Sequence, residues 1–411
     1  MSLTTLDVEF CRRHFLALGG SQIFFENAGG TLVPEQVIDR VRDYMTESQV
    51  QPAFSFKSSI LAAERIRQGT EAMAAFLNAD PAEIVIGSST TSNVYVLSHA
   101  IRHWFKPGDE VVVTNQDHEA NNGAWRRLTE IGVVIKEWQL NPDTAELELA
   151  DLEALLNDRT RLVCFTYCSN IVGSIYDVKE ITAKVHAVGG LVVVDAVAYA
   201  GHRSIDVKTL DVDFLLCSLY KFFGPHLGLL YGKRKLLAKT QNQCHDFIAH
   251  DNHAVRLNPG GICHELGAGA AGITAYFDAV HRHHYPGTNL GFRERLDGVY
   301  KLFATHEESL TRRILQFLAA KPSVTLYGRS NANKDGRVAV ISFTVAGKSS
   351  RKIAEQLWAQ GVAMGADDFY AARCIAALGV DAKDGVLRLS MVHYNSHDDV
   401  DKLLACLDPL I

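Results

Sequence analysis

Lys221 closes the segment Asp213-Phe214-Leu215-Leu216-Cys217-Ser218-Leu219-Tyr220-Lys221, where a short apolar run breaks into a polar turn. Upstream, Leu191-Val192-Val193-Val194 ends on Asp195. An amine and a carboxylate at the ends of two buried strands suit one chemistry well. The lysine carries a carbonyl cofactor as a Schiff base, and the aspartate keeps that cofactor's ring nitrogen protonated. Pyridoxal 5′-phosphate (PLP) is the cofactor that needs both groups. Its phosphate needs backbone N–H donors and hydroxyls at a helix N-terminus, where the dipole favours an anion. Gly87-Ser88-Ser89-Thr90-Thr91-Ser92-Asn93 follows the apolar strand Ile84-Val85-Ile86 and opens a helix expected over Val94 to Trp104. Alone, this stretch reads as an N-cap with spare hydroxyls. Beside Asp195 and Lys221, it makes Thr90, Thr91 and Ser92 candidate phosphate ligands, with Ser218 a further one.

Three more residues sit where such a cofactor or its substrate could be reached. His118, in Asp117-His118-Glu119-Ala120-Asn121, follows the strand Val111 to Val113 and is a candidate ring-stacking group. Asn170 follows Leu162 to Phe165 and could contact the cofactor's phenolic oxygen or a substrate carboxylate. Arg388 lies within Val386-Leu387-Arg388-Leu389-Ser390. A charge inside an apolar strand is either a paired structural arginine or a bidentate clamp on an α-carboxylate, the geometry guanidinium suits best.

The elements that must position these groups form a pattern. Seven short apolar strands alternate with helical stretches from Glu83 to Gly232: Ile84–Ile86, Glu110–Val113, Val133–Ile135, Leu162–Phe165, Leu191–Val194, Phe214–Cys217 and Leu229–Tyr231. Continuous apolar runs separated by helices predict an α/β fold with a mostly parallel sheet covered on both faces. Ligands collect at the carboxyl ends of such strands, where Asp195 and Lys221 fall. A long charged helix over Gly291 to Ala320 then leads to strands at Val324–Tyr327, Arg337–Val345 and Val386–Ser390, with helices Ser349–Gln360 and Ser396–Leu407. The expected division is an N-terminal segment (1–20) packing on the small domain, a large PLP-binding domain (21–290) and a small α+β C-terminal domain (291–411).

Composition agrees with a globular chain of 411 residues, 47% hydrophobic and 21% charged. With 41 basic and 47 acidic residues the net charge is −6, which argues against a nucleic-acid or anionic-membrane partner. No apolar run approaches the ~20 residues that span a bilayer. Asp7, Glu9, Arg12 and Arg13 speak against a signal peptide. The eight cysteines form no C-x-x-C pair, so the expected compartment is the reducing cytoplasm, without disulfides or zinc. Gly267-Ala268-Gly269-Ala270-Ala271-Gly272 matches G-x-G-x-x-G but follows no strand, and tight helix packing is the better reading. The trios His281/His283/His284 and His245/His250/His253 lack the Cys or carboxylate partners of a metal site, and no metal is expected.

The ordered landmarks Phe25 to Gly30, Thr90-Thr91, Asp117 to Asn121, Ser169 to Gly173, Val194-Asp195, Gly201-His202, Ser218 to Lys221, Arg388 and His393 to His397 resemble the class V aminotransferases (fold-type I PLP enzymes), and among them the cysteine desulfurase-like branch. The resemblance implies a homodimer with shared active sites acting on a small amino acid. It places His118 on the cofactor ring, Asp195 at its nitrogen, Lys221 as the Schiff-base lysine and Tyr220 among the cofactor contacts. Around the substrate it implies Asn27, Ala28, Asn170, Arg388 and Tyr370. Four positions depart from desulfurases. Ala198 replaces a glutamine that contacts the phenolic oxygen, Tyr220 a histidine, and Gly261 a phosphate-binding threonine from the neighbouring subunit. Tyr370 stands near the catalytic loop cysteine, leaving Cys374 as the one rescue thiol. Without a thiolate, a persulfide mechanism has no nucleophile. The expected activity is Cα deprotonation through an external aldimine, leading to transamination or to elimination of a β-substituent. A true cysteine desulfurase with an atypical site is a further alternative, and a PLP-binding regulatory protein is the non-enzyme one.

Overall fold

The structure, a computed structural model, describes residues 5–247 and 253–411; His250 lies outside the described residues. Seven strands form one sheet: β1 Ile84–Gly87, β2 Glu110–Thr114, β3 Val134–Trp138, β4 Thr160–Thr166, β5 Leu191–Asp195, β6 Phe214–Ser218 and β7 Gly228–Gly232. Their order is β1-β7-β6-β5-β4-β2-β3, and only β7 runs antiparallel to its neighbours. The continuous apolar runs follow from burial on both faces. Along β2, β4, β5 and β6, Val112, Val163, Val192, Val194 and Leu215 join one core. The alternating Val111, Val113, Leu162, Cys164, Val193, Phe214 and Leu216 join a second core with Leu97 and Trp125. Edge strand β3 is the exception. It is half-exposed and charged, with Lys136 paired to Glu110 at 2.7 Å, a composition that discourages further strand pairing.

Register brings the strand ends together. Thr166 pairs with Asp195 and Asp195 with Leu216, so β4, β5 and β6 end at one sheet edge. The phosphate-loop helix, α1, spans Thr90–Ala100. It starts four residues before the expected Val94, because Ser89 caps it by accepting a hydrogen bond from Ser92 N at 3.0 Å.

A second sheet comprises β8 Val324–Tyr327, β9 Val340–Val345, β10 Gly365–Asp367 and β11 Val386–Ser390 in the order β10-β11-β9-β8. The 28-residue helix α2, Phe292–Ala319, leads into it. The expected strand Arg337–Val345 begins only at Val340. Arg337 is fully buried, and its guanidinium donates to the carbonyls of Arg329 and Val340, holding a turn before the strand. Residues 361–367 contribute to two sheets. Val362–Ala363 pairs with Ile23–Phe24, and the next three residues but one enter the second sheet as β10. This pairing carries the Glu26–Gly30 segment to β11, where Ser390 N donates to Phe25 O at 2.8 Å.

The glycines of the G-x-G-x-x-G match lie in the helices His264–Gly269 and Ala271–His284, where Gly267 faces Gly69 and Gly272 faces Val37. That is close helix packing. His283 and His284 hold Asp7 through its carboxylate and backbone N–H, at 2.9 and 2.8 Å. Among the described residues no His/Cys/Asp/Glu group could hold a metal ion, and no helix is long and apolar enough to cross a membrane.

Candidate active site

A cleft, open at its mouth, lies over the carboxyl ends of β4, β5 and β6. It gathers Thr90, Thr91, His118, Asn170, Asp195, Ser218, Tyr220 and Lys221, all singled out from the sequence. Asp195 ends β5 almost fully buried, and its Oδ1 accepts from Val197 N at 2.8 Å. Burial pushes its pKa up to about 6, against the pull of that N–H and of Lys221. Lys221 ends the turn after β6. Thr31 N donates to the neighbouring Tyr220 O at 2.8 Å, and a Cβ on Gly201 would come within 2.6 Å of Lys221 O, so the turn is held on both sides. Burial, helped by Arg388, brings the Lys221 amine down to about 8, against Asp195 and Glu26. Its Nζ makes no hydrogen bond or ion pair among the described residues.

Across the cleft, His118 Nδ1 accepts from Ala120 N at 3.1 Å, which places the proton of the neutral ring on Nε2. Burial, then the charges of Lys221 and Arg388, lower its pKa to about 4. At the N-terminus of α1, Thr90 Oγ1 lies 2.6 Å from Ser218 Oγ and donates to Cys217 O at 2.7 Å. Gly228 of β7 backs this corner, since a Cβ there would strike the Ser89–Thr90 backbone.

Five predicted residues stand outside the lining. Ser92 is engaged by the helix cap: its N–H donates to Ser89 Oγ and its hydroxyl accepts from Ser89 Oγ, both at 3.0 Å. Asn27 Nδ2 donates to Ser390 O at 2.8 Å while its Oδ1 accepts from Tyr394 OH, and Ala28 N donates to Ser390 Oγ at 2.8 Å. Those groups join the Glu26–Gly30 segment to β11 and its following turn. Arg388 is buried in β11 close behind, its Nη1 donating to Asn170 O at 3.2 Å. Tyr370 stands at the mouth, 74% exposed, its ring centroid 5.4 Å from that of His118. Sequence reasoning missed Ser89, Thr166, Cys168 and Val197 as lining residues. Position offered a signal for three of them, since each lies at a strand end or one or two residues beyond Asp195 or Thr166.

A model of the "Aminotransferase class-V" family matches residues 23–246 and 292–403. The chain belongs to this family. An aminotransferase-like protein of Gibberella zeae is 35% identical, with all of both chains covered. A cysteine desulfurase-like protein of Aspergillus flavus is 33% identical over 99% of this chain and 91% of its own. Among solved structures, the cysteine desulfurase of Thermococcus onnurineus superposes with a TM-score of 0.86 at 24% identity, covering 100% of this chain and 99% of the other. That likeness concerns the fold: fold-type I, with the mostly parallel seven-stranded sheet described above.

As a class V aminotransferase the protein is a PLP-dependent enzyme, and the cleft's donor set fits that cofactor. A helix N-terminus with hydroxyls at Thr90, Thr91 and Ser218 suits a phosphate, a buried carboxylate suits a pyridinium, and an unpaired amine lies between them. In this class V aminotransferase, among the described residues, neither thiol near the cleft is poised to ionise. Cys374 is fully buried in the helix Ala372–Ala377, and burial pushes its pKa up to about 12. Cys168 lines the cleft, but its Sγ donates to Gly173 O at 3.4 Å, and burial raises its pKa well above the ordinary thiol value.

Proposed function

We propose that this enzyme deprotonates a small amino acid at Cα and completes the reaction without an active-site thiolate. The observation that carries the reading is the convergence of Lys221, Asp195 and His118 in one cleft whose mouth presents Tyr370. Thr90, Thr91, Ser218 and the Tyr220 hydroxyl would hold the phosphate, and Lys221 Nζ the carbonyl carbon. When bound, PLP supplies an electron sink for the pair released at Cα. Asp195 keeps a proton on the ring nitrogen, and the neutral His118 packs on the ring face. Lys221 Nζ, brought down to about 8, has an appreciable neutral fraction near neutral pH and takes the Cα proton as general base. Arg388 binds the α-carboxylate. Tyr370 stands at the mouth beside His118, where an incoming substrate would meet it.

Delivery of that proton to the cofactor carbon that Nζ had held, with water releasing the keto acid and the amino group left on the cofactor, would give transamination. One observation favours the second reading, loss of a β-substituent. Arg373, the other arginine near the cleft, pairs with Glu119 at 3.5 Å, and no further guanidinium lines the cleft among the described residues. A dicarboxylic amino acceptor therefore finds no second clamp.

The unpaired thiols of all eight cysteines support a reducing cytoplasm. An apolar groove formed by Val33, Val37, Ile38, Val41, Met45 and Leu266 supports a homodimer, because it borders His226, whose ring stacks on Tyr220 of the cleft at 4.5 Å.

The test is to supply cysteine, cysteine conjugates and alanine to the purified protein while assaying keto acid, ammonia, sulfide and transferred sulfur separately. Keto acid with ammonia establishes elimination, and amino-group transfer without ammonia establishes transamination. Lys221→Ala should lower either by about 10²–10⁴-fold. Sulfur transfer from free cysteine that is lost in Cys374→Ala or in Cys168→Ala would overturn the thiol-free reading.

A further inference from the structure

Arg388 is not a free cation. Its Nη2 donates to Glu26 Oε1 at 2.5 Å, and its guanidinium carbon lies 3.5 Å from the centroid of the Phe369 ring. The pair is incomplete, however. Arg388 Nε and Glu26 Oε2 are both buried, and neither has a hydrogen-bond partner. The backbone is shaped around this carboxylate. A Cβ on Gly29 would approach Glu26 Oε1 to 2.5 Å, and one on Gly365 would approach Oε2 to 2.8 Å and the Phe369 ring to 2.5 Å. Phe369 and Tyr370 complete the cover with φ of +52° and +58°, a region bulky residues rarely occupy. They are held there by Asn170 Nδ2 donating to Phe369 O at 3.2 Å and by Glu119 N donating to Tyr370 O at 2.7 Å.

A carboxylate already seated on a guanidinium, with one donor of that guanidinium still unmatched, occupies the place a substrate carboxylate would take. We propose that Glu26 is a built-in competitor for Arg388, and that substrate binds by exchange: the α-carboxylate takes the Nε/Nη2 edge as Glu26 turns away. This rests on the reading of Arg388 as the carboxylate clamp. Exchange makes Glu26 a specificity-determining residue. A ligand offering a carboxylate and little else must displace a buried ion pair and leave Glu26 uncompensated, which is costly. An amino acid whose amine can also take the place of Lys221 Nζ at the cofactor's carbonyl carbon brings the additional binding energy that drives the exchange. The clamp is thereby kept from ordinary cellular monocarboxylates.

Propionate is a suitable probe, because it carries the carboxylate but no amine that could displace Lys221 from the cofactor. Calorimetric titration of the PLP-loaded protein should give weak propionate binding in the wild type and binding about tenfold tighter in Glu26→Gln, since the competent fraction of Arg388 rises. The KM of the amino-acid substrate should fall in the same variant. Loss of a merely structural contact would weaken both. Glu26→Asp, which keeps the charge but withdraws it by one methylene, should also tighten propionate binding, and it serves if Glu26→Gln fails to fold. Unchanged or weaker propionate binding in both variants would overturn the exchange. Arg388→Lys in the Glu26→Gln background tests the underlying reading separately. Loss of propionate binding there upholds the clamp, and its persistence removes both the clamp and the exchange.

Discussion

The neutrality of His118 has a consequence that stability measurements can read. A ring that packs on a cationic heterocycle beside Lys221 and Arg388 does so best uncharged, and burial with those two cations holds its pKa at about 4. The unfolded imidazole protonates near 6.5. Its folded pKa is depressed, so its contribution is whole above 6.5 and is lost as pH falls toward 4, where the unfolded chain binds a proton the native state refuses. His118→Phe keeps a ring and removes the titration. Urea denaturation should therefore show the wild type losing more stability than His118→Phe between pH 7 and 4.5, by an amount approaching about 3 kcal/mol. Parallel declines would mean that His118 is charged in the fold. Asp195 acts in the opposite sense. With its pKa raised to about 6, it adds stability as pH falls from 6 toward 3.8, so the comparison between variant and wild type, not the wild-type curve alone, isolates His118.

At the scale of elements, the cofactor corner depends on how closely β7 approaches the loop before α1. A methyl group on Gly228 would meet the backbone of Ser89 and Thr90, which cannot swing aside as a side chain could. Gly228→Ala should therefore displace the phosphate-binding N–H groups while leaving the buried strand paired. The expected result is PLP affinity weakened about tenfold or more, the equivalent of ~1.4 kcal/mol, with an unchanged far-ultraviolet dichroism spectrum. Wild-type affinity in this variant would show that the cradle does not lie at this corner. Gly228 also illustrates what a linear reading cannot see. Lys221, Asp195, Thr90 and His118 are legible because each follows an apolar run and so falls at a strand end. Six of the seven strands are legible because both faces are buried and their residues are mostly apolar, the half-exposed edge strand β3 being the exception. Gly228 is far in sequence from the backbone it touches, and nothing local marks it. The same holds for Asn27 and Ala28: their polar groups look available in the sequence, yet pairing with Ser390 and Tyr394 consumes them. Arg337 misled for a related reason, since carbonyls that turn away from the ladder solvate its charge.

For the whole molecule, the deciding property is what covers the helix Glu35–Glu47. Its outer face exposes Ile38 and Met45 at 42% and 54%, beside the half-exposed Val33 and Val41, next to the turn bearing Pro225 and His226. Apolar residues clustered on one side of a helix cost free energy in water unless another surface meets them. Here the turn ends within one ring stack of the cofactor cleft, through His226 on Tyr220. A second copy seated on this face would therefore bury the groove and press on the Tyr220 side of both sites at once. Charge placed at the centre of such a patch should separate the copies, because an unpaired carboxylate cannot be desolvated cheaply. Sedimentation of the wild type should give a dimer, and Ile38→Asp combined with Met45→Asp should give a folded monomer. If the two copies share the site, that monomer should also release PLP more readily than the dimer on gel filtration. A wild type that sediments as a monomer, or a double variant that remains dimeric, would place the interface elsewhere or remove it. A monomeric variant that keeps PLP as firmly as the dimer would detach the groove from the site.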